Sequence, residues 1–267
     1  MSLPPPSESS TCLVTGASSG IGVEFARELA KRGHGVTLVA RRRERLTELA
    51  KELRAEHGVR AETVTCDLAS AAARKRMVRT IADRGLDVEV VVNNAGFGSA
   101  GRFQALDAEA ELTMVRTNVE AVVDLCSTYV PPMVDRGRGS ILNVASVAAF
   151  QPVPRQSTYA ATKAFVLSFT EGLHVDLKGT GVTATALCPG PTKTEFGDAA
   201  GIPDELFEIP GLVYTAEQMA VAGVRAMERG RRSVVPGATN RVSAVGGRLM
   251  PRAVVLPLID RFYPVGK

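Results

Sequence analysis

Short apolar, β-branched runs alternate along this chain with longer stretches in which apolar residues recur every three or four positions. The first pattern reads as buried strand and the second as amphipathic helix. Strands are predicted over 11–15, 36–40, 61–66, 88–92, 140–145, 182–188 and 233–236. The run Val88 to Val92 is apolar throughout but for Glu89, as in a central parallel strand covered on both faces. Ile21, Phe25 and Leu29 share one helix face, and Gly33 is placed to end that helix. A basic helix over 71–84 turns Met77, Val78 and Ile81 inward, and a long helical region covers 107–135. Another helix opens at Tyr159 and runs to Leu177. A capping box, Thr215 to Gln218, starts one that ends near Glu228. Residues 195–214 have no regular period, and a loop of that length reads as a lid or binding loop. The expected fold is α/β, a single-domain, doubly wound parallel sheet of the Rossmann type with about seven strands. That domain spans 11–237, after a flexible tail over 1–10 and before an apolar C-terminal extension over 238–267 that packs on the core.

The chemistry-bearing residues cluster at the predicted carboxyl ends of these strands, where open α/β sheets bind ligands. The first strand runs into Gly16-Ala17-Ser18-Ser19-Gly20-Ile21-Gly22 and then a helix. Strand, glycine turn and helix N-terminus together make a seat for a pyrophosphate. The second strand ends Ala40-Arg41-Arg42-Arg43, with no acid to take a ribose 2′-hydroxyl. Arginine there suits a 2′-phosphate, so NADP(H) is favoured over NAD(H). Arg41 is the first candidate contact, Arg42 the second, and Ser18 a further one, whereas Arg43 and Arg45 read as a solvated helix start. Asp67 follows the third strand, either as an acceptor for the adenine amino group or as a helix N-cap. Asn93-Asn94-Ala95-Gly96 follows the fourth strand and suits a turn that holds a ribose. Asn118 sits mid-helix, where an Asn is disfavoured unless it opens the hydrogen-bond ladder to hold a water or simply faces solvent. Ser146 follows the fifth strand. Tyr159 and Lys163 lie one helical turn apart on a common face. An ammonium ~4 Å from a phenol at an effective dielectric of about 20 favours phenolate by roughly three pKa units. That makes Tyr159 a proton donor and acceptor near neutral pH.

Composition narrows the class further. A net charge of +4 is spread thinly and aromatics are only 5%, so no broad basic face with interleaved rings is available to nucleic acid. Cys12, Cys66, Cys126 and Cys188 are far apart with no metal-ligand spacing, and read as reduced core residues of a cytoplasmic protein. His34, His57 and His174 are isolated, which speaks against a metal site or a Ser/His/Asp triad. Residues 1–10 lack the pattern of a signal peptide, and no apolar run is long enough to span a membrane.

The glycine turn, Asn93-Asn94-Ala95-Gly96, Asn118, Ser146, Tyr159 with Lys163, and Pro189-Gly190 together resemble the short-chain dehydrogenase/reductase family, in its order and spacing over 11–237. The resemblance implies that Tyr159 protonates a substrate carbonyl, that Lys163 lowers its pKa and binds the nicotinamide ribose, and that Ser146 holds the carbonyl oxygen. Asn118 would position a water linking Lys163 to solvent. Gly16, Ser18, Ser19, Gly20, Ile21 and Gly22 would meet adenosine and pyrophosphate. Asp67 and Leu68 would flank adenine, and Asn93, Ala95 and Gly96 would meet a ribose. Thr192 and Thr194, after Pro189 and Gly190, would contact carboxamide and phosphates. The C-terminal extension is similar to a bacterial subgroup that includes reductases of 3-oxoacyl lipids and relatives of steroid dehydrogenases. The implied activity is NADPH-dependent reduction of an apolar ketone by a homodimer or homotetramer, with the extension packing near the lid to widen an apolar pocket, making peripheral contact with a membrane surface, or packing on the core or a neighbouring subunit. An NADP-linked secondary-alcohol dehydrogenase, or a nucleotide-binding regulatory protein without chemistry, are the alternatives.

Overall fold

The computed structural model describes residues 3–202 and 213–262. Seven parallel strands form one sheet in the order β3-β2-β1-β4-β5-β6-β7. They are β1 (Ser10–Thr15), β2 (Val36–Ala40), β3 (Ala61–Thr65), β4 (Asp87–Asn93), β5 (Gly139–Val144), β6 (Val182–Leu187) and β7 (Ser233–Val234). The strand order reverses between β1 and β4, so the two halves diverge there and leave a crevice beyond the strands' carboxyl ends. The central strands are buried on both faces, as their unbroken apolar runs require.

Helices cover both faces. On one side α1 (Gly20–Lys31), α2 (Arg43–His57) and α8 (Ala216–Glu228) enclose a core built on Val14, Phe25, Leu29, Leu38, Leu53 and Val224. On the other, α3 (Ala71–Asp83), α5 (Ala121–Asp135) and α6 (Ser157–Asp176) enclose one built on Leu13, Val91, Leu125, Met133, Ile141 and Val166. Between α4 (Ala108–Val115) and α5 the chain makes a π turn over Arg116–Glu120, so the long predicted helix is interrupted around Asn118. The short helix α7 (Glu195–Ala200) opens the expected lid. The lid's residues 203–212 lie outside the described residues.

One expectation at the ends of the chain needs revision. The stretch predicted as a free tail is docked from Leu3 onward. Leu3 is buried in the α1–α2 core, Ser7 and Ser10 exchange hydrogen bonds, and the Ser9 carbonyl accepts from Asp87 N at 2.8 Å. An apolar residue near the N-terminus and one extra sheet bond suffice to anchor it. The C-terminal extension forms α9 (Ala238–Leu249) and α10 (Arg252–Phe262). The α9 residue Asn240 is buried against Gly190, and Arg155 holds Asp260 of α10 in a 2.9 Å ion pair. The last residues of the extension, 263–267, lie outside the described residues. No described helix is long and apolar enough to cross a membrane.

Candidate active site

A cavity of about 840 Å³ occupies the crevice. Its adenine-side floor is the β1–α1 turn, where Gly16, Ser18, Ser19, Gly20 and Ile21 line the wall. Gly22 does not. A Cβ there would lie 2.2 Å from the Gly16 carbonyl oxygen, so this glycine lets the turn close rather than meeting a ligand. Gly16 has φ +67°, and an added Cβ would strike Asn94 and Ala95, so only glycine keeps the turn low enough for a bulky anion. Ser19 N-caps α1 without a side-chain bond to it. The turn therefore fits a diphosphate. Gly22→Ala is expected to lower Tm by several degrees and to weaken nucleotide binding at least tenfold, read by thermal melting and titration, because the obstructing atom is backbone.

Arg41, Arg42, Asp67 and Leu68 line the next part of the cavity. Arg42 Nε donates to Ser18 Oγ at 3.1 Å, so two of the predicted 2′-phosphate contacts form one cluster. Arg45 departs from its expected role as a solvated residue. It reaches Glu195 and the Ser18 carbonyl from the next position round the helix. Arg74, part of the predicted basic face, is also placed otherwise. It is buried, donates to the Leu68 carbonyl at 2.7 Å, and pairs with Glu120 and Asp124. It thus fixes the strand-end loop that carries Asp67.

At the end of β4, Ala95 and Gly96 line the cavity and Asn93 does not. The Asn93 amide is buried, donates to Asn143 Oδ1 at 2.8 Å on the neighbouring strand, and contacts Cys126 Sγ. Strand alternation sends it into the core, so the ribose role expected for its side chain is not open to it. Its neighbour Asn94 faces the cavity and ties β4 to β1 through the Thr15 carbonyl at 2.9 Å.

The reacting end is formed by β5 and α6. Ser146, Tyr159 and Lys163 line this end together with Pro189, Gly190, Thr192 and Thr194, and Val147 N donates to the Pro189 carbonyl at 2.9 Å to join the two strand ends. Ser146 hydrogen-bonds the Tyr159 phenol. Lys163 Nζ lies 5.8 Å from the Tyr159 ring centre and donates to the Val144 carbonyl at 2.8 Å. Asn118 stands behind these residues. Its amide bonds the Phe97 main chain at both ends and Thr162 Oγ1 at 3.1 Å, so it ties the loop after β4 to α6. The side chain is fully engaged by protein groups, which leaves any contact with water to the main chain of the π turn.

The expected electrostatics do not hold for the protein by itself. Burial pushes the Tyr159 phenol up to about 12, partly offset by the bond from Ser146. Burial brings Lys163 down to about 8. Burial is the largest cause of both shifts, and it acts against the charged form of each group.

Residues 10–202 match the family model of short chain dehydrogenases. The chain belongs to the short-chain dehydrogenase family. It is an oxidoreductase acting between C=O and CH–OH groups. A sulfoacetaldehyde reductase 2 of Chromohalobacter salexigens is 40% identical over 69% of this chain and 73% of its own length. A putative ketoacyl reductase of Streptomyces coelicolor is 40% identical over 70% of this chain and 72% of its own. A short-chain dehydrogenase from Sphingobium yanoikuyae, solved in complex with NADPH, superposes with a TM-score of 0.79 at 35% identity, over 89% of this chain and 92% of that one.

This short-chain dehydrogenase carries further wall residues that sequence reasoning did not single out. Phe196 of α7 packs on Tyr159 with ring centres 5.5 Å apart, and Ile202 lines the same region. Leu258 and Ile259 reach the cavity from α10. The apolar extension as a whole is expected from sequence either to widen an apolar pocket beside the lid or to rest on a membrane surface, and these two residues are where it meets the cavity.

Proposed function

We propose that this enzyme reduces an apolar ketone, a 3-oxoacyl lipid among the candidates, to a secondary alcohol with NADPH. The reading rests chiefly on one observation: Ser146, Tyr159 and Lys163 converge at one end of the nucleotide cavity. The cofactor, when bound, supplies the hydride. Ser146 holds the carbonyl oxygen beside the phenol, and Tyr159 delivers the proton to that oxygen as it gains charge. Lys163 fixes the far ribose and replaces the proton on Tyr159, and the π turn at Asn118 leads it to solvent.

Cofactor choice follows from the bonded pair Ser18 and Arg42 with Arg41 lining the same part of the cavity, a set that suits a 2′-phosphate, and the similar Sphingobium enzyme was solved with NADPH. An apolar substrate suits the wall formed by Val147, Val153, Phe196, Ile202, Leu258 and Ile259. Four buried free cysteines fit the reducing cytoplasm. The exposed Leu112, Val115, Phe165 and Val175 suit contact with a second copy in a homo-oligomer.

The test is a panel of ketones of increasing chain length, followed by loss of NADPH absorbance. Turnover rising with apolar length supports the reading. NADPH binding with no turnover on any ketone, and no oxidation of the matching alcohols, removes it. Leu258→Ala is expected to raise KM for the longest accepted ketone ~3–10-fold while kcat is kept, because it takes away contact made equally before and during reaction.

A further inference from the structure

A carboxylate stands between the two arginines at the adenine end of the cavity. Arg42 Nη1 donates to Glu195 Oε2 at 2.7 Å, and Arg45 Nη1 pairs with Glu195 Oε1. Both arginines also turn toward Ser18, through its hydroxyl at 3.1 Å and its carbonyl at 3.3 and 3.5 Å. Glu195 comes from the far side of the crevice, more than 150 residues along the chain from Arg42, at the head of α7. Two guanidinium groups on one anionic group, with the Ser18 hydroxyl alongside on Arg42 Nε, is the arrangement a phosphate monoester would meet.

We propose that Glu195 is an internal competitor for the 2′-phosphate subsite, whose carboxylate an incoming NADP(H) must displace from Arg42 and Arg45. The inference rests on the NADP(H) reading above and adds a residue that sets its strength. The competition is balanced so that the cofactor wins. All three side chains are about half exposed, at 42%, 47% and 49%, so each ion pair is weak and screened by salt. A phosphate brings nearly twice the charge and three acceptor oxygens. The two arginines hold the Glu195 carboxyl below its usual range, Arg45 foremost, so the competitor stays charged at any physiological pH.

Displacement also reaches the reacting end. The residue after Glu195 is Phe196, which packs on Tyr159, and Thr194 caps the same short helix through Phe196 N. A cofactor without the 2′-phosphate leaves the Glu195 bridge in place. One that carries it frees the head of α7, next to the ring that covers the catalytic phenol.

The test titrates the full-length protein with 2′,5′-ADP and with 5′-AMP, followed by calorimetry. Wild type should bind 2′,5′-ADP the more tightly. Glu195→Gln keeps size and exposure, and should tighten 2′,5′-ADP ~3–10-fold while 5′-AMP stays within about twofold. That gain should shrink as salt rises. If wild type prefers 2′,5′-ADP but Glu195→Gln binds it equally or more weakly, Glu195 is no competitor and the 2′-phosphate subsite stands. If wild type shows no preference between the two nucleotides, both ideas fall together.

Discussion

Tyr159→Phe should cut kcat for ketone reduction by ~10²–10⁴ and leave NADPH affinity within a few-fold of wild type. The change removes one oxygen and keeps the ring against Phe196. What goes is the bond with Ser146 and the phenolic proton that the proposed reduction delivers. Fold stability should move by no more than ~1 kcal/mol, since the phenol's partner can re-orient into the cavity. Burial pushes the Tyr159 phenol up to about 12, so at neutral pH it holds the proton that the proposed reduction consumes. Steady-state rates together with a cofactor titration check this. A Tyr159→Phe variant that kept more than a tenth of the wild-type rate would remove Tyr159 from the proton-transfer role.

Lys163→Met should be nearly inactive yet more heat-stable than wild type at pH 7. Burial lowers the Lys163 pKa to about 8 from an unfolded value near 10.5. The folded state therefore binds fewer protons than the unfolded state between those values, so stability rises as pH climbs through them. Below pH 8 the full penalty is present, on the order of 3 kcal/mol before the bond to the Val144 carbonyl is counted. Methionine carries no such penalty and fills a similar volume. The difference in Tm between variant and wild type should thus be largest below pH 8 and should fade toward pH 10.5. A variant that is less stable than wild type at every pH would mean that the hydrogen bond to Val144 outweighs desolvation. Loss of activity with gain of stability is the pattern expected of a group kept for chemistry.

Much of this was readable from residue order. Strand ends and glycine turns obey local rules, so Gly16, Arg42, Ser146, Tyr159 and Lys163 could be assigned to one crevice before any fold was known. Three things escaped for definite reasons. The Asn93 side chain is claimed by Asn143, a partner 50 residues away that only sheet pairing brings near. Arg74 looks like any surface arginine until Glu120 and Asp124 are folded against it. The tail reads as free because its apolar anchor, Leu3, is one residue among prolines and serines, and its bond to Asp87 N forms only once β4 is beside it. The Tyr159–Lys163 electrostatics failed for another reason. Spacing gives the attraction between the pair, but the larger effect is dehydration, which depends on everything packed around them.

Leu258 and Ile259 belong to a helix that begins 50 residues beyond the end of the stretch that matches the short chain dehydrogenase family model. On the proposed reading, part of the fit to substrate comes from a terminal segment that is also keyed into the catalytic half, through Asn240 beside Gly190 and Arg252 on the Phe150 carbonyl. An exchange of that segment for another is therefore expected to carry a new apolar wall only if those two anchor points travel with it.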